Sequence, residues 1–227
     1  MPRTILVTEG NSPLGAALVR LLAARGYRVA SVSDRGASTA SASVGATAAV
    51  TASASTTSNP LALAWNRRSP VSARTVVLSV LNAFETLDEA LILEPPVPRG
   101  VPLTETASAD IERAFDDSKG PVFLAREVLG SFLSRGGGIV SFVSGGPSSG
   151  PVESAAREAF RGLAAALLSS PPNGAIVANG FQCSATDPEE YAAFIDRTLE
   201  EKARKITGRW FSYPPRGGFL QGVLSGR

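Results

Sequence analysis

The first 35 residues constrain the fold of this chain more than any other stretch. A short β-branched apolar run at residues 4–8 (TILVT) is followed by Gly10 and Pro13. Then comes LGAALVRLLAARG, in which Leu14, Leu18, Leu21 and Leu22 recur at helical spacing. Gly26 ends the predicted helix, and residues 28–33 (RVASVS) supply a second strand. Strand, turn, helix and strand within so short a span make a βαβ unit. Such a unit needs partner layers on both faces of a parallel sheet.

The rest of the sequence repeats this alternation. Strands are predicted at residues 61–66, 90–93, 138–144, 175–178 and 208–213. Helices are predicted at 70–84, 108–116, 120–134, 154–168 and 189–205. Residues 36–58 are almost wholly Gly, Ala, Ser, Thr and Val and read as a loose helix and loop. The expectation is one Rossmann-like, doubly wound α/β domain over residues 1–227. It would have a seven-stranded, mostly parallel sheet with helices on both faces and a ligand crevice at the carboxyl ends of the strands.

Composition removes several chemistries. With 227 residues and 44% hydrophobic content the chain can bury a sizeable core. It contains no histidine, which excludes Ser-His-Asp and Cys-His catalysis and the commonest zinc and iron ligand. No metal site is expected. The single Cys183 excludes an internal disulfide framework, fits a reducing cytoplasm, and reads as a buried, inert thiol. Basic residues are scattered and the formal charge is only +2, so nucleic acid is not expected as a partner. No apolar run reaches about 18 residues, so neither is a membrane. Trp65 and Trp210, in or beside strands, read as core.

Several local strings bear on function. Residues 8–15 read TEGNSPLG, residues 103–106 LTET, residues 119–121 KGP, residues 136–144 GGGIVSFVS and residues 206–210 ITGRW. In this order and at these spacings the chain resembles the short-chain dehydrogenase/reductase family over essentially its whole length. That resemblance implies a dinucleotide, NAD or NADP, lying against Thr8, Gly10, Leu14, Gly15, Asp34, Arg35 and Asn66. Asp34 would suit a ribose hydroxyl and Arg35 a 2′-phosphate, so the pair does not choose between the two cofactors.

The family turn is TGxxxGxG, and here Glu9 and Pro13 stand where two of its glycines are expected. Glu9 brings a carboxylate toward a helix N-terminus that would otherwise attract phosphate, and Pro13 brings a ring without an N–H donor. Two placements of Glu9 are open: at the positive helix end in place of a phosphate, or out in solvent. Gly10 and Gly15 also match the glycines of a P-loop, but Ala16 and Ala17 follow where Lys and Ser or Thr are needed. The NNAG motif after the family's fourth strand is replaced by LEPP at residues 93–96.

The same resemblance implies a catalytic serine, tyrosine, lysine and asparagine. Ser144 falls at the serine, Glu153 at the tyrosine and Arg157 at the lysine, while the asparagine falls at Asp117 or Ser118. No Tyr-x-x-x-Lys occurs anywhere in the chain. Glu153 and Arg157, four residues apart on a predicted helix, are spaced for an ion pair, and a nearby guanidinium lowers a carboxyl pKa.

Three readings follow from this pattern. One is a catalytically degenerate scaffold with a binding or partner role. Another is a divergent NAD(P)-dependent oxidoreductase. The last is a non-redox enzyme acting on a small molecule through Glu153, Asp117 or Glu94. The resemblance also implies a homo-oligomer, dimer or tetramer, or a hetero-oligomer with a related subunit, formed through the helices at residues 120–134 and 154–168.

Overall fold

The structure is a computed structural model that describes residues 2–34, 59–96, 100–146, 150–183 and 187–213. Seven strands form one sheet in the order β3-β2-β1-β4-β5-β6-β7. They are β1 Thr4–Thr8, β2 Arg28–Asp34, β3 Leu61–Trp65, β4 Glu89–Leu93, β5 Gly138–Gly145, β6 Ile176–Cys183 and β7 Arg209–Tyr213. Every pairing is parallel, so the sheet is wholly rather than mostly parallel. The chain reverses direction across the sheet between β1 and β4. A doubly wound sheet opens its crevice at that point.

Five helices cover the two faces: α1 Pro13–Ala24, α2 Pro70–Phe84, α3 Ser108–Arg135, α4 Pro151–Ser169 and α5 Pro188–Thr198. Helices α1 and α5 pack together on one face, over Ile5, Val7, Leu91 and Phe181 of the sheet. Helices α2, α3 and α4 cover the other, over Leu6, Ala90, Val140 and Phe142. Alternate residues of β1 and β4 therefore enter opposite cores, and both strands are buried throughout. That is why they read as continuous apolar runs.

The helix starts follow local chemistry. Ser12 caps α1 by accepting from the Gly15 N–H at 3.0 Å, and Ser69 caps α2 by accepting from Ser72 at 3.2 Å. Each cap is followed by a proline at the first helical position, where no intrahelical donor is needed.

Some expected boundaries differ. The two helices expected at residues 108–116 and 120–134 are one helix, α3, with Pro121 inside it. One buried stripe, Ala114, Gly120, Pro121, Leu124, Ala125 and Val128, runs through both halves. Packing along that stripe outweighs the hydrogen bond that proline removes. Strand β6 extends to Cys183, beyond the expected residue 178, because it pairs with β5 as far as Gly145. The last expected helix ends at Thr198 and passes into a π-helical segment, Leu199–Ala203. Trp65 is core, Trp210 packs against it partly exposed, and Cys183 is half-buried rather than buried. Residues 36–58 lie outside the described residues, apart from which no expected element is missing.

Candidate functional site: two arginine clusters in the crevice

The turn after β1 keeps the backbone of a glycine turn while carrying other side chains. Glu9 has φ 54°, in the left-handed region that favours glycine. A Cβ at Gly15 would come within 2.0 Å of the Glu9 carbonyl, so close packing of α1 on this turn requires glycine there. The Gly10 N–H donates to the Val32 carbonyl at 3.0 Å. The Thr8 hydroxyl accepts from the Leu93 N–H at 2.7 Å, tying β1 to β4. Leu14 is half-buried and packs with the α1/α5 core.

Neither expected placement of Glu9 is observed. Its carboxylate is 2% exposed and meets the guanidinium of Arg67 in a fork: Nε donates to Oε1 at 3.0 Å and Nη2 donates to Oε2. The N-terminus of α1 is capped by Ser12 instead. Arg67 follows β3, is 4% exposed, and also donates from Nη1 to Asp34 Oδ2 at 3.0 Å. Asp117 of α3 lies 3.9 Å from Arg67 Nη1 and accepts from Arg68 Nε at 3.2 Å. Gly120 lets α3 approach, since a Cβ there would come within 2.8 Å of Arg67 Cβ and 3.2 Å of the Trp65 ring.

Three carboxylates, Glu9, Asp34 and Asp117, thus converge on Arg67 and Arg68. Burial pushes the Glu9 carboxyl above its ordinary value, against the pull of Arg67. Asp34 is therefore engaged by Arg67, while Arg35 lies outside the described residues. Asn66 is exposed and holds a local turn, accepting from the Arg68 N–H at 3.0 Å and donating its own N–H to Ser72. Ser118, the other candidate relay position, donates back to the Ala114 carbonyl within α3 at 2.8 Å.

A second cluster stands at the ends of β4 and β5. Ser144 is buried and its hydroxyl donates to Glu94 Oε2 at 2.8 Å. Arg157 of α4 donates from Nε to Glu94 Oε1 at 2.8 Å, from Nη1 to the Gly146 carbonyl at 2.6 Å and from Nη2 to the Gly145 carbonyl at 3.4 Å. Its expected partner Glu153 accepts from Nη2 at 3.4 Å, so the helical pair forms. Sequence spacing found that pair but missed Glu94 as the nearer acid. Ser144, Glu153 and Arg157 do come together: Arg157 meets both Glu94 and Glu153, and Glu94 accepts the Ser144 hydroxyl.

Sequence reasoning also missed Arg67 and Tyr191. The only signal for Arg67 was a pair of arginines just after a predicted strand. Tyr191 of α5 is buried and its hydroxyl donates to the Ser144 carbonyl at 3.0 Å. Burial pushes its phenol well above the ordinary range, which favours the protonated hydroxyl that donates this bond. Among the described residues no group of His, Cys, Asp and Glu is arranged to hold a metal ion. No described helix is long and apolar enough to cross a membrane.

No protein-family model matches the sequence, and no curated protein sequence matches it either. Solved structures do match in shape. A 3-ketoacyl-(acyl-carrier-protein) reductase from Brucella melitensis, in complex with NADH, superposes with TM-score 0.75 at 13% identity, covering 93% of this chain and 96% of that one. A short chain dehydrogenase from Mycobacterium smegmatis gives 0.75 at 15% identity, covering 93% and 91%. Levodione reductase gives 0.73 at 16% identity, covering 93% and 95%. The chain has the short-chain dehydrogenase/reductase fold along nearly its whole length.

Proposed function

We propose that this chain is a short-chain-dehydrogenase-like scaffold whose crevice is filled by its own side chains, and that it serves as a binding or partner subunit without dinucleotide-dependent redox chemistry. The observation that carries this reading is Arg67. It is buried in the crevice and its guanidinium is taken up by Glu9 and Asp34. A dinucleotide entering that half would have to displace this ion pair and set its phosphates among three carboxylates. Glu94 and Arg157 fill the other half, where the family's NNAG and lysine positions fall, and no Tyr-x-x-x-Lys is available.

Calorimetric titration with NAD(H) and NADP(H) tests the reading. The expected result is no binding at millimolar cofactor; saturable binding in the micromolar range overturns it. The partner role rests on the outer faces of α3 and α4. Phe115, Val122 and Leu133 are exposed on α3, and Ala155, Ala159, Gly162 and Ala166 are exposed on α4. Apolar and small residues on neighbouring helices suit close packing against a second copy or a related subunit. A homo- or hetero-oligomer is expected in light scattering at micromolar concentration, and a monomer counts against this part.

One observation favours a divergent NAD(P)-dependent oxidoreductase instead. Ser144 is buried at the crevice end of β5 with its hydroxyl oriented by Glu94. That is the group a substrate oxygen would meet in the fold's relatives. Nucleotide density beside Ser144 in a soaked crystal would support that second reading. A non-redox reaction would draw on Glu94, Glu153 or Asp117, each of which lies at an arginine.

A further inference from the structure

Away from the crevice, α2 and α3 lie side by side and leave a groove of about 690 Å³ between them. Its floor is apolar, with Val77, Leu78 and Leu81 of α2 facing Gly130 of α3. Its rim is basic. Arg74 is exposed and makes no ion pair among the described residues. Arg126 is three-quarters exposed and among the described residues pairs with its neighbour Glu127, at 3.1 Å. Arg135, at the far end, donates to the Glu85 carbonyl at 2.6 Å, which holds its guanidinium over the end of α2.

Gly130 has no packing reason to be glycine. It sits in the interior of a 28-residue helix, and a Cβ built on it meets no atom within 4 Å. A glycine in a helix interior weakens the helix relative to alanine. Here it leaves space in the groove that it lines together with Leu78 and Leu81. The basic rim and the apolar floor together define what fits.

We infer that this groove docks an acidic amphipathic helix of a partner protein, with its apolar side on Leu78, Leu81 and Gly130 and its carboxylates toward Arg74 and Arg126 at one end and Arg135 at the other. From Arg74 to the end of α2 the axial distance is about 15 Å, or about three helical turns. Helix-in-groove recognition uses anchors at this spacing. The chain's own remaining segments do not match the rim. Residues 35–58, 97–99, 147–149, 184–186 and 214–227 contain no aspartate or glutamate. The groove lies outside the crevice but borders the α3 face bearing Val122 and Leu133, since Arg126 is four residues from Val122 and Gly130 three from Leu133 on one helix, so sedimentation has to distinguish a partner helix from a second copy.

The test uses the whole chain and a fluorescein-labelled peptide of about three helical turns, with paired glutamates at each end and leucines at helical spacing between. Saturable anisotropy is expected, falling with added salt as exposed charge pairs do. Gly130→Leu adds a side chain in the groove, at a position where a Cβ meets no atom within 4 Å, and should weaken binding by roughly tenfold or more. Arg74→Glu with Arg126→Glu should do the same. Should Gly130→Leu fail to fold, Leu78→Ser, at an already exposed position, gives the same reading. No binding by the wild type overturns the inference. So does equal binding of a scrambled peptide of the same composition, or binding indifferent to Gly130→Leu. Self-association in sedimentation that Gly130→Leu abolishes also overturns it, by making the occupant a second copy.

Discussion

The two arginine clusters of the crevice do similar work by different means. Arg67 spends one fork on one carboxylate, Glu9, and both groups are almost wholly buried. Arg157 is spread over Glu94, Glu153 and the carbonyls of Gly145 and Gly146, with its side chain and that of Glu94 near a tenth exposed. A buried pair with a single main partner fails badly when one member is lost, because the other is left charged and desolvated. A network that is shared and partly wet redistributes its hydrogen bonds. The half of the crevice nearest the β1 turn is thus held mainly by one buried fork, with Asp34 as a second acceptor, and the half nearest β5 by contacts spread over two acids and two carbonyls.

The largest expected effect breaks that fork. Arg67→Ala leaves Glu9 buried without its counter-charge and should cost about 3–5 kcal/mol in chemical denaturation. Replacing both members, Glu9→Leu with Arg67→Met, should cost less than the single change. A double variant as unstable as the sum of the singles would mean the two side chains act independently. Arg157→Ala should cost less, about 1.5–3 kcal/mol, since Glu94 keeps the Ser144 hydroxyl and some access to water. Equal losses for Arg67→Ala and Arg157→Ala would erase the contrast between the halves.

Titration sharpens the comparison further. Burial raises the Glu9 carboxyl above 4.5, so the folded chain holds that proton more tightly than the unfolded one. Its contribution to stability is then largest in acid and falls as pH rises above that value. Glu9→Gln should remove this decline, so that the stability of the variant relative to wild type increases with pH. The slope is at most about 1.4 kcal/mol per pH unit, the limit for one proton. A flat difference across pH 4 to 8 would mean that Arg67 keeps the carboxylate ionised throughout. The smallest effect is expected for Ser144→Ala, about 1 kcal/mol, from one lost hydrogen bond to Glu94.

The sheet was legible because its signals are local. Apolar β-branched runs, serine caps followed by proline and helical leucine spacing each act within a few residues, and the order of strands and helices then implied the doubly wound fold. The helix running through Pro121 was not legible, because the stripe that carries it across the proline is stabilised by packing on α2, α4 and the sheet strands β4, β5 and β6 rather than by its own sequence. The site divides in the same way. Glu153 with Arg157 follows from four-residue spacing. Glu9 with Arg67 spans 58 residues and Arg157 with Glu94 spans 63, distances at which no sequence periodicity operates.

By itself, then, the sequence determined which side chains are there to be used: no histidine, no Tyr-x-x-x-Lys, and an acid at a turn position that resembles a glycine of the family. Residue identity limits which side chains can take part in a reaction. Which charges meet was decided by the tertiary structure, which brings the ends of β1, β2 and β3 together so that Arg67 reaches Glu9 and Asp34 at once. A buried carboxylate must find a counter-charge wherever the fold supplies one, and only the packed sheet determines which arginine that is.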